Sequence, residues 1–211
     1  MQHSSPLSTL QPSVLRRLRS LAPQRTCAFG EALRIADLQA ARLRELIGAS
    51  DNESFPIDAI ADLPRIRIDR RPLPTSGISY WDRENAEWVI GINSTESEAR
   101  QRFSLLHEYK HIVDHGATSR LYAGTRLTSA DRQAEQAADY FAGCVLMPKR
   151  LLVRAWGNRV QSLDQLSWLF DVSTRAVAVR LAQLGLTETT PRCAGRPFAR
   201  SAPTRYGRTL P

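Results

Sequence analysis

The segment at 107–111 reads His-Glu-Tyr-Lys-His, an HExxH motif, and it offers the residues best suited to chemistry in this sequence. On an α-helix, side chains four positions apart share one face, so His107 and His111 can bind one metal ion through two imidazole nitrogens. Glu108 lies beside them, where a carboxylate can take a proton from a water molecule that attacks a carbonyl carbon. The pattern is typical of zinc hydrolases and predicts one Zn²⁺ per chain.

A hydrolytic zinc site normally uses three protein ligands and leaves its fourth position open. Glu135 is the best candidate for the third ligand, because it lies 24 residues after His111 in a second helical stretch. Asp139 follows one turn later on the same face, where a carboxylate can accept the outer N–H of a ligating histidine and orient its ring. The alternative for both carboxylates is the solvated face of an amphipathic helix, and the combined pattern outweighs it.

The residues after the motif exclude one class of zinc protease. A metzincin requires glycine at 114 and histidine at 117, but the chain has Asp114 and Ala117. His115 lies one turn beyond His111, and three ligands spread over two helical turns would strain the geometry at one ion. We therefore expect a supporting or surface role for His115. Stabilisation of an oxyanion falls to a tyrosine, an arginine or His115.

Two predicted helices carry these side chains. Thr95 and Glu98 form a Thr-x-x-Glu capping box, and apolar residues follow at helical spacing, which places the motif well inside a helix. The second helix is predicted at 131–147, with Thr128 and Ser129 as cap candidates. A crossing of the two helices would present the acidic residues of the second to the histidines of the first.

The residues before the motif predict a small sheet. Apolar residues at 31–47 have helical spacing, and strand candidates follow at 65–69, 77–81 and 87–92. A polar turn joins the second and third strands into a predicted hairpin. Strands followed by a metal-binding helix are the order of a zincin, in which one sheet edge can pair with an extended substrate. We expect an α+β fold with a small, mostly antiparallel sheet packed on the motif helix.

A helix-turn-helix spacing ends the patterned part of the chain. Two short helices are predicted within 162–186, joined at 171–174. The second helix offers only Arg175 and Arg180 as bases, so contact with DNA is not favoured. The alternative is a helical hairpin that closes the core or shapes the substrate site.

The net charge of +8 lies at the two ends of the chain. Residues 1–30 hold four arginines and no acidic residue, and residues 187–211 hold five arginines against Glu188, so bases and acids balance in between. We predict a flexible basic tail at 1–30, a metallopeptidase domain at 31–157, a helix-turn-helix-like segment at 158–186 and a disordered basic tail at 187–211. The tails suit a solvating role or non-specific contact with nucleic acid.

Composition favours a cytoplasmic protein. The sequence contains no apolar run of membrane-spanning length and no apolar core of a signal peptide. Its three cysteines are odd in number and far apart, which argues against a disulfide framework and against a thiolate zinc site.

Three segments resemble the ImmA/IrrE family of metallopeptidases. They are Arg-Phe-Ser-Leu-Leu-His-Glu-Tyr-Lys-His at 102–111, Glu-Gln-Ala-Ala-Asp-Tyr-Phe-Ala at 135–142 and Leu-Met-Pro at 146–148. The chain departs from the usual second block, E-x-E-A-N-x-F-A-x-x-L-L-M-P, without losing a presumed ligand. The resemblance extends from about residue 29 to 186. It implies a small gluzincin-type protease that cleaves one intracellular protein, typically a helix-turn-helix repressor of the Xre type.

Two other functions stay open at this point. One is a transcription-associated binding protein with a structural zinc ion, although such a site has no need of the base Glu108. The other is a component of a two-gene toxin or immunity system.

Overall fold

Residues 13–50 and 54–186 are described by the structure, a computed structural model, and they form eight α-helices, one 3-10 helix and one three-stranded sheet. In chain order the elements are α1 (Val14–Arg19), α2 (Phe29–Ile47), the 3-10 helix (Ile57–Ile60), β1 (Ile66–Arg71), β2 (Gly77–Asp82), β3 (Glu87–Asn93), α3 (Glu98–Asp114), α4 (Thr118–Leu121), α5 (Ala130–Leu146), α6 (Lys149–Gly157), α7 (Leu163–Phe170) and α8 (Thr174–Leu184).

The sheet has the order β1-β3-β2, so β2 is an edge strand. β3 pairs antiparallel with β2, as the predicted hairpin requires, and parallel with β1. The expectation of a mostly antiparallel sheet is therefore correct for only one of the two pairings. The physical reason is that β3 lies between β1 and β2. The tight hairpin makes β3 antiparallel to β2, and β3 then runs in the same direction as β1.

One main hydrophobic core lies where α2, α3 and α5 pack together and against the sheet. The two helices predicted around the candidate ligands are both present, within three residues of the expected ends. Fully buried members of this core include Leu43, Ile90, Ile92, Leu106, Phe141 and Leu152. The core thus fixes α3 and α5 against each other and against β3.

The start of α3 differs from the predicted capping box. Its N-cap is Ser97, and Thr95 instead donates its hydroxyl to the Asn93 side chain at 2.8 Å. Asn93 ends β3 and accepts the backbone N–H of Thr95 as well, so Thr95 belongs to the turn between strand and helix. The N-cap of α5 is Ser129, one of the two predicted cap candidates. Its side chain accepts a hydrogen bond from the backbone N–H of Arg132.

The N-terminal part of the chain departs from the prediction of a flexible tail. α1 lies inside the span 1–30, and its Leu18 is fully buried in the main core. Arg19 donates from Nη2 to the carbonyl of Ile112 on α3 at 2.7 Å. Residues 13–30 are therefore packed against the domain. Residues 1–12 and the predicted C-terminal tail lie outside the described residues.

The helical hairpin predicted after residue 162 is present as α7 and α8. Asp171 turns the chain between them with a φ of 52°, and its carboxylate forms an ion pair with Arg102 of α3 at 3.1 Å. Leu166 and Val177 are fully buried, so the hairpin packs onto the main core. Within the described residues, no helix is both long and apolar enough to span a membrane.

Candidate metal centre

α3 and α5 bring three predicted metal ligands together. The Nε2 atoms of His107 and His111 are 3.1 Å apart. Glu135 of α5 places one carboxylate oxygen 3.2 Å from His107 Nε2 and the other 3.3 Å from His111 Nε2. The ligand atoms of all three residues lie within 4.8 Å of one another.

The spacing of these atoms fits one tetrahedral ion. Zinc bonds of about 2.0–2.1 Å at tetrahedral angles put neighbouring ligand atoms roughly 3.3 Å apart. The observed separations, from 3.1 to 3.3 Å, are close to that value, with each histidine nitrogen measured to a different oxygen of Glu135. The Glu135 side chain is 60% exposed, so solvent or a substrate can reach a fourth position. Two nitrogens and one oxygen with an open side are the donor set of a hydrolytic zinc site.

Asp139 lies one turn after Glu135 and contacts the outer nitrogen of a histidine. Its Oδ1 is 2.9 Å from Nδ1 of His107, where it can accept the Nδ1–H. Burial lowers the pKa of His107, but the hydrogen bond and charge of Asp139, together with the charges of Glu135 and Glu108, outweigh burial and raise the pKa above its usual value. Asp139 therefore directs Nε2 of His107 toward the shared site.

His111 has the opposite tendency. Burial, and after it the nearby charge of His107, lowers the pKa of His111 below its usual value. A neutral imidazole keeps a lone pair on Nε2, which is the form that binds a metal ion.

β2 holds the carboxylate of Glu108. Ser79 donates its hydroxyl to Oε2 of Glu108 at 2.8 Å. Gly77 comes so close that a Cβ there would lie 2.9 Å from Cγ and 3.1 Å from Oε1 of Glu108. Neither Ser79 nor Gly77 was predicted from the sequence. Strand alternation puts them on one face, but it does not reveal that this face meets α3.

A cavity of about 890 Å³ contains this arrangement. β2, α3, α5 and α8 all contribute to its lining, so the helical hairpin shapes the site rather than lying apart from it. The lining includes Ser76, Gly77, Ser79, Phe103, His107, Glu108, His111, Glu135, Asp139, Arg175, Val179 and Arg180.

His115 and the two hairpin tryptophans do not line this cavity. His115 follows α3 as its exposed C-cap residue, with its ring 4.9 Å from the ring of Trp88. Trp88 in turn packs edge-to-face with Trp81 at 5.4 Å. This position suits the supporting or surface role expected for His115, and the tryptophans pack with each other.

Residues 62–182 match the family Peptidase_M78, the IrrE N-terminal-like domain. No curated protein matches the chain. A solved structure of a Mycobacterium tuberculosis transcriptional regulator is similar, with a TM-score of 0.57 and 20% sequence identity over 86% of this chain. At this identity the likeness shows a shared fold. The present chain spans 54% of the length of that regulator chain.

Proposed function

The chain belongs to the Peptidase_M78 family, the IrrE N-terminal-like domain, and we propose that it is a zinc-dependent endopeptidase. The observation that carries this proposal is the convergence of His107, His111 and Glu135 on one point, with Glu108 in the same cavity. The N, N, O donor set supports zinc in particular, and the open side supports catalysis over a closed structural site.

The residues around this point suit peptide-bond hydrolysis. A zinc ion held by His107, His111 and Glu135 would polarise both a water molecule and the scissile carbonyl. Glu108 takes a proton from the water as its oxygen bonds to the carbonyl carbon. The same carboxyl group then gives that proton to the leaving amine nitrogen as the C–N bond breaks. Ser79 holds Oε2 of Glu108, which leaves Oε1 as the atom that receives the proton.

β2 supplies the surface for an extended substrate. It is an edge strand, and the residues at its beginning line the cavity beside Glu108. The free backbone groups of an edge strand can pair with a peptide that adds itself to the sheet. The substrate is therefore a flexible segment of a protein, placed along β2 with its scissile bond at the metal centre.

We assign the protein a regulatory role in the cytoplasm, with one specific partner such as a helix-turn-helix repressor of the Xre type. The resemblance of the three sequence segments at 102–111, 135–142 and 146–148 to ImmA/IrrE proteases supports this role. The competing function is sequence-specific DNA binding by α8, and the similarity to a transcriptional regulator is the observation in its favour. Arg180, however, is 2% exposed and donates to the carbonyl of Met147, and Arg175 lines the cavity. Both positions favour a substrate site over a DNA surface.

Metal content and cleavage, measured on the same preparations, test this proposal. The wild-type protein should contain one zinc ion per chain and should cleave a repressor encoded beside it. Glu135→Ala should lose most of its zinc, whereas Glu108→Gln should keep zinc and fold but lose cleavage by several orders of magnitude, because the amide cannot accept a proton. Full zinc affinity in a folded Glu135→Ala protein would mean that the third ligand is another residue. Near wild-type cleavage by Glu108→Gln would remove the proposed base.

A further inference from the structure

The cavity around the candidate metal centre is lined by carboxylates and by arginines that do not pair with them in the described part of the chain. Its three carboxylates belong to Glu108, Glu135 and Asp139, and each contacts a histidine of the site or Ser79. Its arginines, Arg100, Arg175 and Arg180, make no ion pair with any of these carboxylates among the described residues. The positive charges of the lining, as far as the structure describes it, are thus not paired with the carboxylates of the reacting centre.

Two of these arginines, Arg100 and Arg175, belong to helices that an ion pair joins near the cavity. Arg100 precedes Glu108 on α3 by two helical turns, or about 12 Å along the helix axis. Its neighbour Arg102 forms the 3.1 Å ion pair with Asp171, in the turn that leads into α8. That contact ties the turn before α8 to α3, and Arg175, at the beginning of α8, lines the same cavity as Arg100.

The arginines differ in their availability to a ligand. Arg180 is nearly fully buried, donates to Met147 and Gln183, and lies over the ring of Tyr140, so its role is structural. Arg100 is half exposed and forms an ion pair with Glu96 at 3.7 Å. Arg175 is exposed, and within residues 13–50 and 54–186 it has no hydrogen-bond or ion-pair partner.

We infer that Arg175, assisted by Arg100, selects substrate peptides that carry an acidic side chain about two to five residues from the scissile bond. The range follows from the position of Arg100 on α3, since about 12 Å corresponds to three or four residues of an extended peptide at roughly 3.3 Å each, and Arg175 lines the same cavity. The length of an arginine side chain widens these three or four residues to the stated range of about two to five. This inference rests on the proposed endopeptidase function and adds the chemical class of its substrate.

An acidic peptide fits this cavity better than a nucleic acid. A phosphate backbone carries one charge per nucleotide and would run past Glu108, Glu135 and Asp139, which repel it. A peptide can present one carboxylate to Arg175 while neutral residues pass the acidic part of the cavity. Charge complementarity of this kind mainly decides which partner binds.

Cleavage of a diverse peptide mixture tests the inference directly. The zinc-loaded wild-type protein should enrich Glu and Asp about fivefold over Gln and Asn at one position in the stated range, the size expected of an exposed ion pair. Arg175→Glu should replace this preference by one for Lys and Arg at the same position, with its zinc content unchanged. Arg83→Glu is the matched control, since Arg83 is exposed in the β2–β3 turn and does not line the cavity. It should behave as the wild type.

Binding to the Glu108→Gln protein separates specificity from catalysis. Three labelled peptide libraries, identical except for one fixed Glu, Gln or Lys, should bind in that order of affinity by fluorescence anisotropy. The advantage of Glu should shrink at high salt and disappear in Glu108→Gln combined with Arg175→Glu. Cleavage without an acidic preference, or a preference that survives Arg175→Glu, would overturn the inference and leave the endopeptidase intact. Acid-selective binding without any cleavage would overturn the endopeptidase alone. If a single-stranded oligonucleotide displaced the labelled Glu peptides as well as an unlabelled Glu peptide does, the ligand of Arg175 would be a nucleic acid and not a peptide.

Discussion

Two contacts restrict the side chain of Glu108, a hydrogen bond and a close steric approach. Ser79 binds one carboxylate oxygen, and the missing side chain of Gly77 makes room for the Cγ and the other oxygen. Both contacts come from β2, the strand along which a substrate would lie. In the proposed mechanism the same strand would therefore position both the base and the substrate, and a small shift of either would change their relative geometry.

Gly77→Ala should reduce peptide cleavage by roughly a hundredfold, the usual order for a catalytic group displaced by about 1 Å. The new Cβ would lie 2.9 Å from Cγ of Glu108, which must move away. Thermal unfolding and zinc content should stay near wild type, because Glu108 is a side chain that can yield. Gly30→Ala is the control, since nothing lies within 4 Å of a Cβ at position 30. Wild-type cleavage by Gly77→Ala would show that this approach does not constrain the base.

Asp139 tests how far the charge of a supporting carboxylate matters for the metal. Asp139→Ala should weaken zinc binding by about 10- to 100-fold, the usual effect of losing the outer partner of a ligating histidine. Asp139→Asn should lose less, because the amide oxygen can still accept the Nδ1–H of His107 but adds no negative charge. Competition with a chelator measures both affinities. Equal affinity of all three proteins would leave Asp139 as an ordinary exposed residue.

The candidate ligands could be predicted because their signal is local. His107 and His111, and likewise Glu135 and Asp139, are pairs at helical spacing, so each pair shares a face in any helix that forms. Ser79 could not be predicted in this way. Its contact with Glu108 joins residues 29 positions apart and depends on which face of β2 turns toward α3.

α3 carries a second polar arrangement next to its candidate ligands, centred on two buried side chains of the same helix. Lys110, inside the motif itself, is 1% exposed and donates to Asp114 at 2.5 Å and to Gln39 of α2 at 2.7 Å. Asp114 also accepts the hydroxyl of Tyr122 at 2.5 Å. Burial, followed by the charge of Asp114, raises the pKa of Tyr122, which keeps the hydroxyl protonated as a donor. These bonds fix the helix that holds both histidines.

Asp114→Ala should destabilise the protein by about 3–5 kcal/mol, because it leaves a buried ammonium group without its counter-ion. Lys110→Met combined with Asp114→Asn should cost less, since both charges are gone and an acceptor for Tyr122 remains. Urea unfolding measures the difference. A larger loss in the double variant would mean that the ion pair itself stabilises the fold.

The stability of Asp114→Ala should also depend on pH. Burial lowers the pKa of Lys110, and Asp114 partly counteracts this, so the variant has a still lower folded pKa. Its folded state then binds fewer protons than its unfolded state, and its stability should rise with pH toward the unfolded lysine pKa of about 10.4. A pH-independent difference from wild type would indicate that Lys110 is solvated in the variant.

Periodicity predicted the elements better than their arrangement. The α2, α5, α7 and α8 segments and the hairpin of β2 and β3 were located from apolar spacing and turn residues. The parallel pairing of β1 with β3 was missed, because pairing between distant strands leaves no local pattern. α1 was missed for a different reason, since its six residues include three arginines and are too few to show a helical period.

At the scale of the whole molecule, the described fold is larger than the matched family segment. Residues 62–182 match the family, yet α1 and α2 precede them and pack on α3 and α5. Leu18 of α1 is fully buried, and its carbonyl accepts a hydrogen bond from the buried Gln39, which also accepts one from Lys110. The packing that supports the helix with the two candidate histidine ligands thus begins well before the matched segment.

Leu18→Ala should therefore destabilise the whole domain, by about 2–5 kcal/mol, as for other fully buried leucines. The chain offers a matched control in Leu38, which is 59% exposed on α2 and whose change to alanine should cost less than about 0.5 kcal/mol. Chemical denaturation of zinc-free protein measures both variants without a contribution from metal binding. If α1 rested loosely on the surface, both substitutions would have the same small effect. A large loss for Leu18→Ala alone would make residues 13–30 part of the folding unit that holds the metal centre.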